Sequence, residues 1–465
     1  MDRYAPLDDA LRHARAWLDS LPERTVRPPA STESLRAAFG GALAERGEDP
    51  RSVLSMLARE GTAGLMATPG PRFFGFVIGG SDPTGLAADW LTSAWDQNAG
   101  LYIASPTVAV VEETAGRWLC ELMGLPRDSA VGFVTGGQMA NFTGLCAARQ
   151  GLLQRQGWDL NDRGLYGAPE IQVVVGEEVH VTVLRALRFL GLGQGRVHRV
   201  PTDGQGRMQA SGLDPVLAGC KGPTLVCLQA GNINTGASDP FPALIDTAHR
   251  HGAWVHVDGA FGLWAGASAR HRSQVAGVGD ADSWAVDAHK WLNVPYDSGV
   301  AIVRAPEVMH AAMGTSASYL VRSSGLRDGV DYVPEFSRRG RGVPVYAVLR
   351  ALGRNGVEAL VDRCSALARR FAERLGKAKG VQVLNEVVLN QVLVRFEPPG
   401  GGDADAHTRA VISRVQEDGT CWLGGSIWKD RQVMRISVSG WNTTEADVDR
   451  TVEAILTSAR QVANS

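Results

Sequence analysis

Ala253-Trp-Val-His-Val-Asp-Gly-Ala-Phe261 is a short run of aromatic and β-branched residues that stops at an Asp-Gly pair. A run of this kind suits a pleated surface, and with a turn signal at its end it reads as a buried strand. Ile171-Gln-Val-Val-Val175, Thr224-Leu-Val-Cys-Leu228 and Gly299-Val-Ala-Ile-Val303 have the same texture. Between them, 181–190 and 242–251 carry apolar residues at helical spacing. Strand and helix in alternation from about 130 to 304 predict an α/β fold with a doubly wound, mostly parallel sheet. Ligands of such a sheet bind beyond the carboxyl ends of the strands, so a site is to be sought just after each apolar run.

Beyond about 346 the pattern changes to helices at 345–352 and 358–375, strands near 381–384, 391–396 and 432–438, and a closing helix at 444–462. Pro398-Pro-Gly-Gly-Gly-Asp403 reads as a polar turn, too short for a linker. The chain is therefore expected to divide into an N-terminal helical segment, 1–70, a large domain, 71–345, and a small α+β domain, 346–465. With 465 residues, 44% hydrophobic and 21% charged, it has the balance of a soluble enzyme with a large core. A net charge of −2 points to no polyanionic partner, so neither nucleic acid nor a membrane is expected as a partner. The first 20 residues are amphipathic rather than a signal core, and the six scattered cysteines suit a reducing, cytoplasmic setting without structural zinc.

Four places carry chemistry. In Ser283-Trp-Ala-Val-Asp-Ala-His-Lys-Trp-Leu292, Lys290 follows an apolar strand and sits between His289 and Trp291. A partly desolvated lysine is the amine that carbonyl chemistry uses to form Schiff bases. Asp258 ends its strand, where a carboxylate needs a partner; a protonated pyridine nitrogen is one, and a helix N-cap or a structural hydrogen bond is another. Ala260, two residues on, is small enough for a ring to lie against it. Gly132-Phe-Val-Thr-Gly-Gly-Gln-Met-Ala-Asn141 stands between a strand and a helix, so the backbone amides of Gly136, Gly137 and Gln138 can cradle a phosphate. His180 opens a helix on the same rim; lone histidines are commonly core or surface groups, but there it can lie over a ring. An anion cradle, a stacking histidine, a carboxylate and an amine are together what pyridoxal 5'-phosphate requires.

In this order the residues resemble the group II pyridoxal-dependent amino-acid decarboxylases, the family of the aromatic-amino-acid and glutamate decarboxylases, from about 73 to 449. The most specific piece is His289-Lys290-Trp291 following Asp258, with Thr135-Gly-Gly-Gln-Met-Ala-Asn141 and His180 upstream. The resemblance implies fold type I, a homodimer with the N-terminal segment packed across it, and decarboxylation of a small-molecule amino acid to the amine and carbon dioxide. It implies that Lys290 carries the cofactor as a Schiff base, that His180 stacks on the ring, that Asp258 partners the pyridine nitrogen and that Ala260 lies under the ring. His289 adjoins the cofactor lysine. Asn232 stands where the family has Thr, implying a hydrogen bond near the cofactor. Asp287 stands where relatives carry Asn or Ser near the phosphate, although a carboxylate there repels a phosphate. Tyr319, in a Ser- and Gly-rich stretch at 314–328, resembles the tyrosine of a mobile lid that returns a proton to the product.

The segment Phe73-Phe-Gly-Phe-Val-Ile-Gly-Gly80, with Trp95 and Tyr102, resembles the stretch that shapes the family's substrate pocket, and its aromatic content favours an apolar or aromatic side chain. A second reading is other pyridoxal chemistry on the same scaffold, such as aldehyde-forming oxidative deamination or carbon–carbon lysis. A non-catalytic binding relative is the third reading.

Overall fold

Alternate residues of the central strands are committed to two different cores. Val174, Val226, Val255, Val257, Trp284, Val286, Val300 and Ile302 belong to one, and Val173, Val175, Leu225, Trp254, Ala285, Ala301 and Val303 to the other. A strand apolar on both faces needs cover on both, which is why these runs read as continuous rather than alternating. The computed structural model describes residues 2–315 and 325–464. Its larger sheet contains β1 (Ala130–Val134), β2 (Gln172–Gly176), β3 (His198–Val200), β4 (Thr224–Gln229), β5 (Trp254–Asp258), β6 (Ser283–Asp287) and β7 (Gly299–Val303). They lie in the order β1-β7-β6-β5-β4-β2-β3. From β3 through β2, β4 and β5 to β6 the strands are parallel, and β7 runs antiparallel to both β6 and β1. The α/β class and the mostly parallel sheet expected from the sequence are both present, and the chain has the fold-type I arrangement.

The helix Gly137–Arg155 is buried nearly all round and packs against β5, β6 and β7. Its small residues make that approach possible. A Cβ on Gly144 would stand 2.7 Å from Cε1 of His256, and one on Gly151 would stand 2.8 Å from the Trp254 indole. Trp254, His256 and Asp258 alternate along β5 and therefore share the face turned to this helix, as do Ser283, Ala285 and Asp287 on β6. Each of these faces ends in an aspartate at the carboxyl edge of the sheet.

A smaller antiparallel sheet follows, with β8 (Val381–Val383), β9 (Gln391–Phe396), β10 (Gly424–Trp428) and β11 (Arg431–Ser437) in the order β10-β11-β9-β8. The two helices expected at 345–352 and 358–375 form one span, Gly342–Leu375, broken where Gly353 takes φ 59°. The turn at 398–403 leads into a helix, Ala404–Asp418, capped by the Asp403 side chain, and then into β10; neither element was expected. Residues 73–76 also join this sheet. Phe74 N donates to Trp422 O at 2.8 Å, Ser437 N donates to Phe74 O at 3.0 Å, and the rings of Phe73 and Trp422 stack at 5.2 Å.

At the N-terminus the amphipathic helix spans Ala5–Ser20, leaving Leu7 and Leu11 exposed while Asp9 is held by Arg12 and Arg51, each at 2.6 Å. Among the described residues no helix is long and apolar enough to cross a membrane.

The fully buried His256 makes stability depend on pH. Burial lowers its pKa from an ordinary 6.5 to about 4. Between those values the unfolded chain takes up a proton that the folded one refuses, so its contribution is full above about pH 6.5 and is lost as pH falls toward about 4. The loss amounts to about 3 kcal/mol at 1.36 kcal/mol per unit. In urea unfolding of wild type and His256→Gln, the advantage of wild type at pH 7 is expected to shrink by roughly that amount at pH 4; an unchanged difference would count against a buried neutral histidine.

Candidate active site

Lys290 lies in the bend that follows β6, and its Nζ is 2.9 Å from Oδ2 of Asp287. The other oxygen of Asp287 is buried without a hydrogen-bond partner and lies 3.6 Å from Nδ1 of His289. His289 is buried, with Nδ1 2.8 Å from the Ser298 carbonyl and its ring stacked on Tyr296 at 4.3 Å. Burial holds its pKa below the ordinary histidine value, against the pull of Asp287.

Gly136 and Gly137 begin the helix Gly137–Arg155 directly beside this carboxylate. A Cβ on Gly137 would sit 2.6 Å from Asp287 Oδ2, so the missing side chain lets the helix N-terminus lie close to that carboxylate. The first-turn amides there have no intrahelical acceptor, and the helix dipole favours an anion. Gln138 turns its side chain to the Thr182 carbonyl, 3.1 Å away, and ties the cradle to the turn that carries His180.

His180 is the N-cap of the helix Val181–Phe189. Its Nδ1 lies 2.7 Å from Thr182 Oγ1 and accepts from the Thr182 amide at 3.4 Å. Burial is the largest influence on its pKa and lowers it; Lys290 and Arg435 push the same way, while Asp258 and Asp287 oppose them. These four charges and the imidazole therefore share one rim. Asp258, at the end of β5, is 5% exposed, and its Oδ1 accepts from the Ala260 amide at 3.2 Å. The Ala260 carbonyl in turn accepts from the Asp287 amide at 2.9 Å, which joins the ends of β5 and β6. Of the two structural alternatives for Asp258, the helix N-cap is not adopted, whereas the structural hydrogen bond is present on Oδ1.

Asn232 is buried after β4, but its Oδ1 is spent on the amides of Asn234 and Thr235, at 2.8 and 3.2 Å, so it shapes its own turn. Tyr319, with 316–324 around it, lies outside the described residues. Phe76 and Gly79 flank the site: Gly79 N donates to the His289 carbonyl at 3.2 Å, and a Cβ on Gly79 would collide with the carbonyl of Lys290.

The group that sequence reasoning missed is Arg435, on β11. It donates to the Phe76 carbonyl at 3.0 Å, has no carboxylate within ion-pair distance among the described residues, and is held down to about 10 by burial. Its signal was a lone arginine between Met434 and Ile436 in a strand that otherwise feeds the core.

The donor set fits pyridoxal phosphate: an amine, a strand-end carboxylate, a buried imidazole and an open helix N-terminus converge. Asp287 is the discordant neighbour, since its charge faces the anion cradle; its pairing with Lys290 offsets that charge.

Residues 33–397 match the pyridoxal-dependent decarboxylase conserved domain. The chain is 28% identical over 455 residues to an aromatic-L-amino-acid decarboxylase of Bacillus atrophaeus, covering 95% of this chain and 92% of that one. It is 30% identical over 376 residues to the cysteine sulfinic acid decarboxylase of Mus musculus, covering 79% and 75%. In fold it matches the Oryza sativa TDC structure solved with PLP and tryptamine, at a TM-score of 0.92 and 23% identity over 100% of this chain and 98% of that one. With a family domain across most of its length and a donor set suited to the cofactor, the chain belongs to the pyridoxal-dependent decarboxylases, amino-acid carboxy-lyases that use pyridoxal phosphate.

Proposed function

We propose that the protein converts an L-amino acid to its amine and carbon dioxide, with Lys290 as the residue that attaches pyridoxal phosphate. The observation that carries this reading is the meeting of Lys290, Asp258 and His180 at the carboxyl edge of β5 and β6, beside the open N-terminus of Gly137–Arg155. When bound, the cofactor supplies the electron sink that receives the pair left by departing carbon dioxide. Asp258 would hold the pyridine nitrogen protonated, His180 and Ala260 would hold the ring, and the amides of Gly136, Gly137 and Gln138 would take the phosphate. Asp287 and His289 set the charge around Lys290, and Asn232 shapes the adjoining loop. Tyr319 returns a proton to the α-carbon.

Arg435 is the cation placed to receive a carboxylate of the substrate, since its own strand gives it none. An aromatic or other apolar side chain is supported by the bacterial relative, an aromatic-L-amino-acid decarboxylase. Arg435 also suits an acidic side chain of the kind handled by the sulfinate-decarboxylating relative. We further propose a homodimer in the cytoplasm, in which 1–70 packs across a second chain, 71–345 binds the cofactor and 346–465 forms the small domain. Exposed Leu7 and Leu11 support that packing, as does an apolar groove of about 450 Å³ that includes Leu18, Leu86, Trp90 and Trp441.

Borohydride reduction of the loaded protein is expected to fix a pyridoxyl group on Lys290 alone, mapped by peptide mass spectrometry; an adduct on another lysine would overturn the assignment. Arg435→Gln is expected to lower kcat/KM by about 100-fold, the scale for unpairing a desolvated charge, with cofactor affinity retained. A panel of aromatic and acidic amino acids read for both carbon dioxide and organic product decides the substrate class. Tyr319→Phe is expected to keep carbon dioxide release but to shift product from amine toward a carbonyl compound with ammonia in air. Unchanged amine yield would remove Tyr319 from the reaction.

A further inference from the structure

We propose that Trp254, Ser283, His256, Asn141 and Thr182 are positioning residues that lock His180 as the neutral tautomer protonated on Nε2. They form one unbroken hydrogen-bond chain from beneath the sheet to the rim. The Trp254 indole N–H, which can only donate, points to Ser283 Oγ at 2.9 Å. Ser283 Oγ lies 2.8 Å from His256 Nδ1, and its one proton is free for that nitrogen. His256 then carries its own proton on Nε2 and donates to Asn141 Oδ1 at 2.9 Å. Asn141 Nδ2 donates to Thr182 Oγ1 at 3.3 Å, and that hydroxyl donates to His180 Nδ1 at 2.7 Å.

The direction is set at the near end. The far end is compatible with it, because the indole only donates and leaves the Ser283 proton free. At the near end the Thr182 backbone amide also points at His180 Nδ1, 3.4 Å away, so that nitrogen faces two donors and has to present its lone pair. A proton placed there would oppose the amide and force the Thr182 hydroxyl to turn its own proton away from the ring, since its oxygen would then accept from both His180 and Asn141. The remaining proton of a neutral His180 therefore sits on Nε2. The charges facing the ring are Asp258, Asp287, Lys290 and Arg435, of opposite signs in equal number, and burial adds to the resistance to a positive imidazole. The fold makes room for the chain at a specific cost: Gly144 has no side chain where a Cβ would press on His256, 2.7 Å from its Cε1.

The consequence for catalysis rests on the proposed function. A neutral His180 leaves the negative charge of Asp258 to the pyridine nitrogen, whereas an imidazolium would compete for it.

The test reads His180 directly, by long-range proton–nitrogen correlation spectra of the full chain labelled with ¹⁵N-histidine, before and after loading with pyridoxal phosphate. Subtraction of the His180→Gln spectrum assigns the signals. Wild type is expected to show an unprotonated Nδ1 and a protonated Nε2 at neutral pH, with protonation displaced below that of free histidine. Thr182→Val is expected to raise the pH of half-protonation by about one unit, a tenfold change, or to populate the Nδ1–H form. Thr182→Ser should restore the wild-type pattern, and Ser283→Ala, remote from the rim, should shift His180 in the same sense as Thr182→Val. A wild-type His180 protonated on Nδ1, or a pattern indifferent to both Thr182→Val and Ser283→Ala, overturns the proposal. Because the first spectra need no cofactor, this outcome is independent of whether Lys290 is the residue trapped by borohydride.

Discussion

The site depends on how closely the helix Gly137–Arg155 can lie on the sheet. Helices and sheets usually meet through branched side chains, but this contact is made through glycine and alanine on one side and through Trp254 and His256 on the other. An imidazole buried in that seam would be costly if either nitrogen were unpaired. Both are paired, to Ser283 on β6 and Asn141 on the helix, so the same ring joins three elements. The N-terminus of the helix is thereby set relative to the ends of β5 and β6.

That setting also explains how so much charge is tolerated at one rim. Asp258 and Asp287 share a face because each lies an even number of residues beyond His256 or Ser283 on adjacent parallel strands. Alone, two buried carboxylates would repel and raise each other's proton affinity. Lys290 is drawn to Asp287, and Arg435 arrives from the other sheet, so the rim is near neutrality with His180 uncharged. Buried charges of this kind stabilise little.

Much of this was legible in the sequence because it is local. Strand ends, the glycine pair, the helix-opening His180 and the Lys290 bend are each signalled within a few residues, and the parallel-sheet rule brings them to one edge. The Ala404–Asp418 helix was hidden because its mix of charged and apolar residues follows three glycines, which read as loop; the cap at Asp403 was the available signal. Arg435 was hidden for a different reason. Nothing local distinguishes an arginine that reaches across from another sheet from one that covers an apolar surface. At Asn232 the local structure shows what no resemblance could, that its Oδ1 serves the amides of Asn234 and Thr235.

The two sheets are held in register at the site by Asn293, a buried residue in the left-handed region at φ 57°, which Asn tolerates better than most residues. Its Oδ1 accepts from the amides of Gly80 and Trp441, and its Nδ2 donates to the carbonyls of Trp291, 2.8 Å away, and Ser439, 3.0 Å away. Each partner belongs to a different segment: Trp291 follows Lys290, Gly80 ends the stretch 73–80, and Ser439 and Trp441 continue from the strand that carries Arg435. All four hydrogen-bonding capacities of the carboxamide are used, so rotation of any one segment leaves a buried polar group unpaired. Asn293 thus ties the segment after Lys290 to the segment that follows Arg435's strand, through a side chain that need not touch substrate.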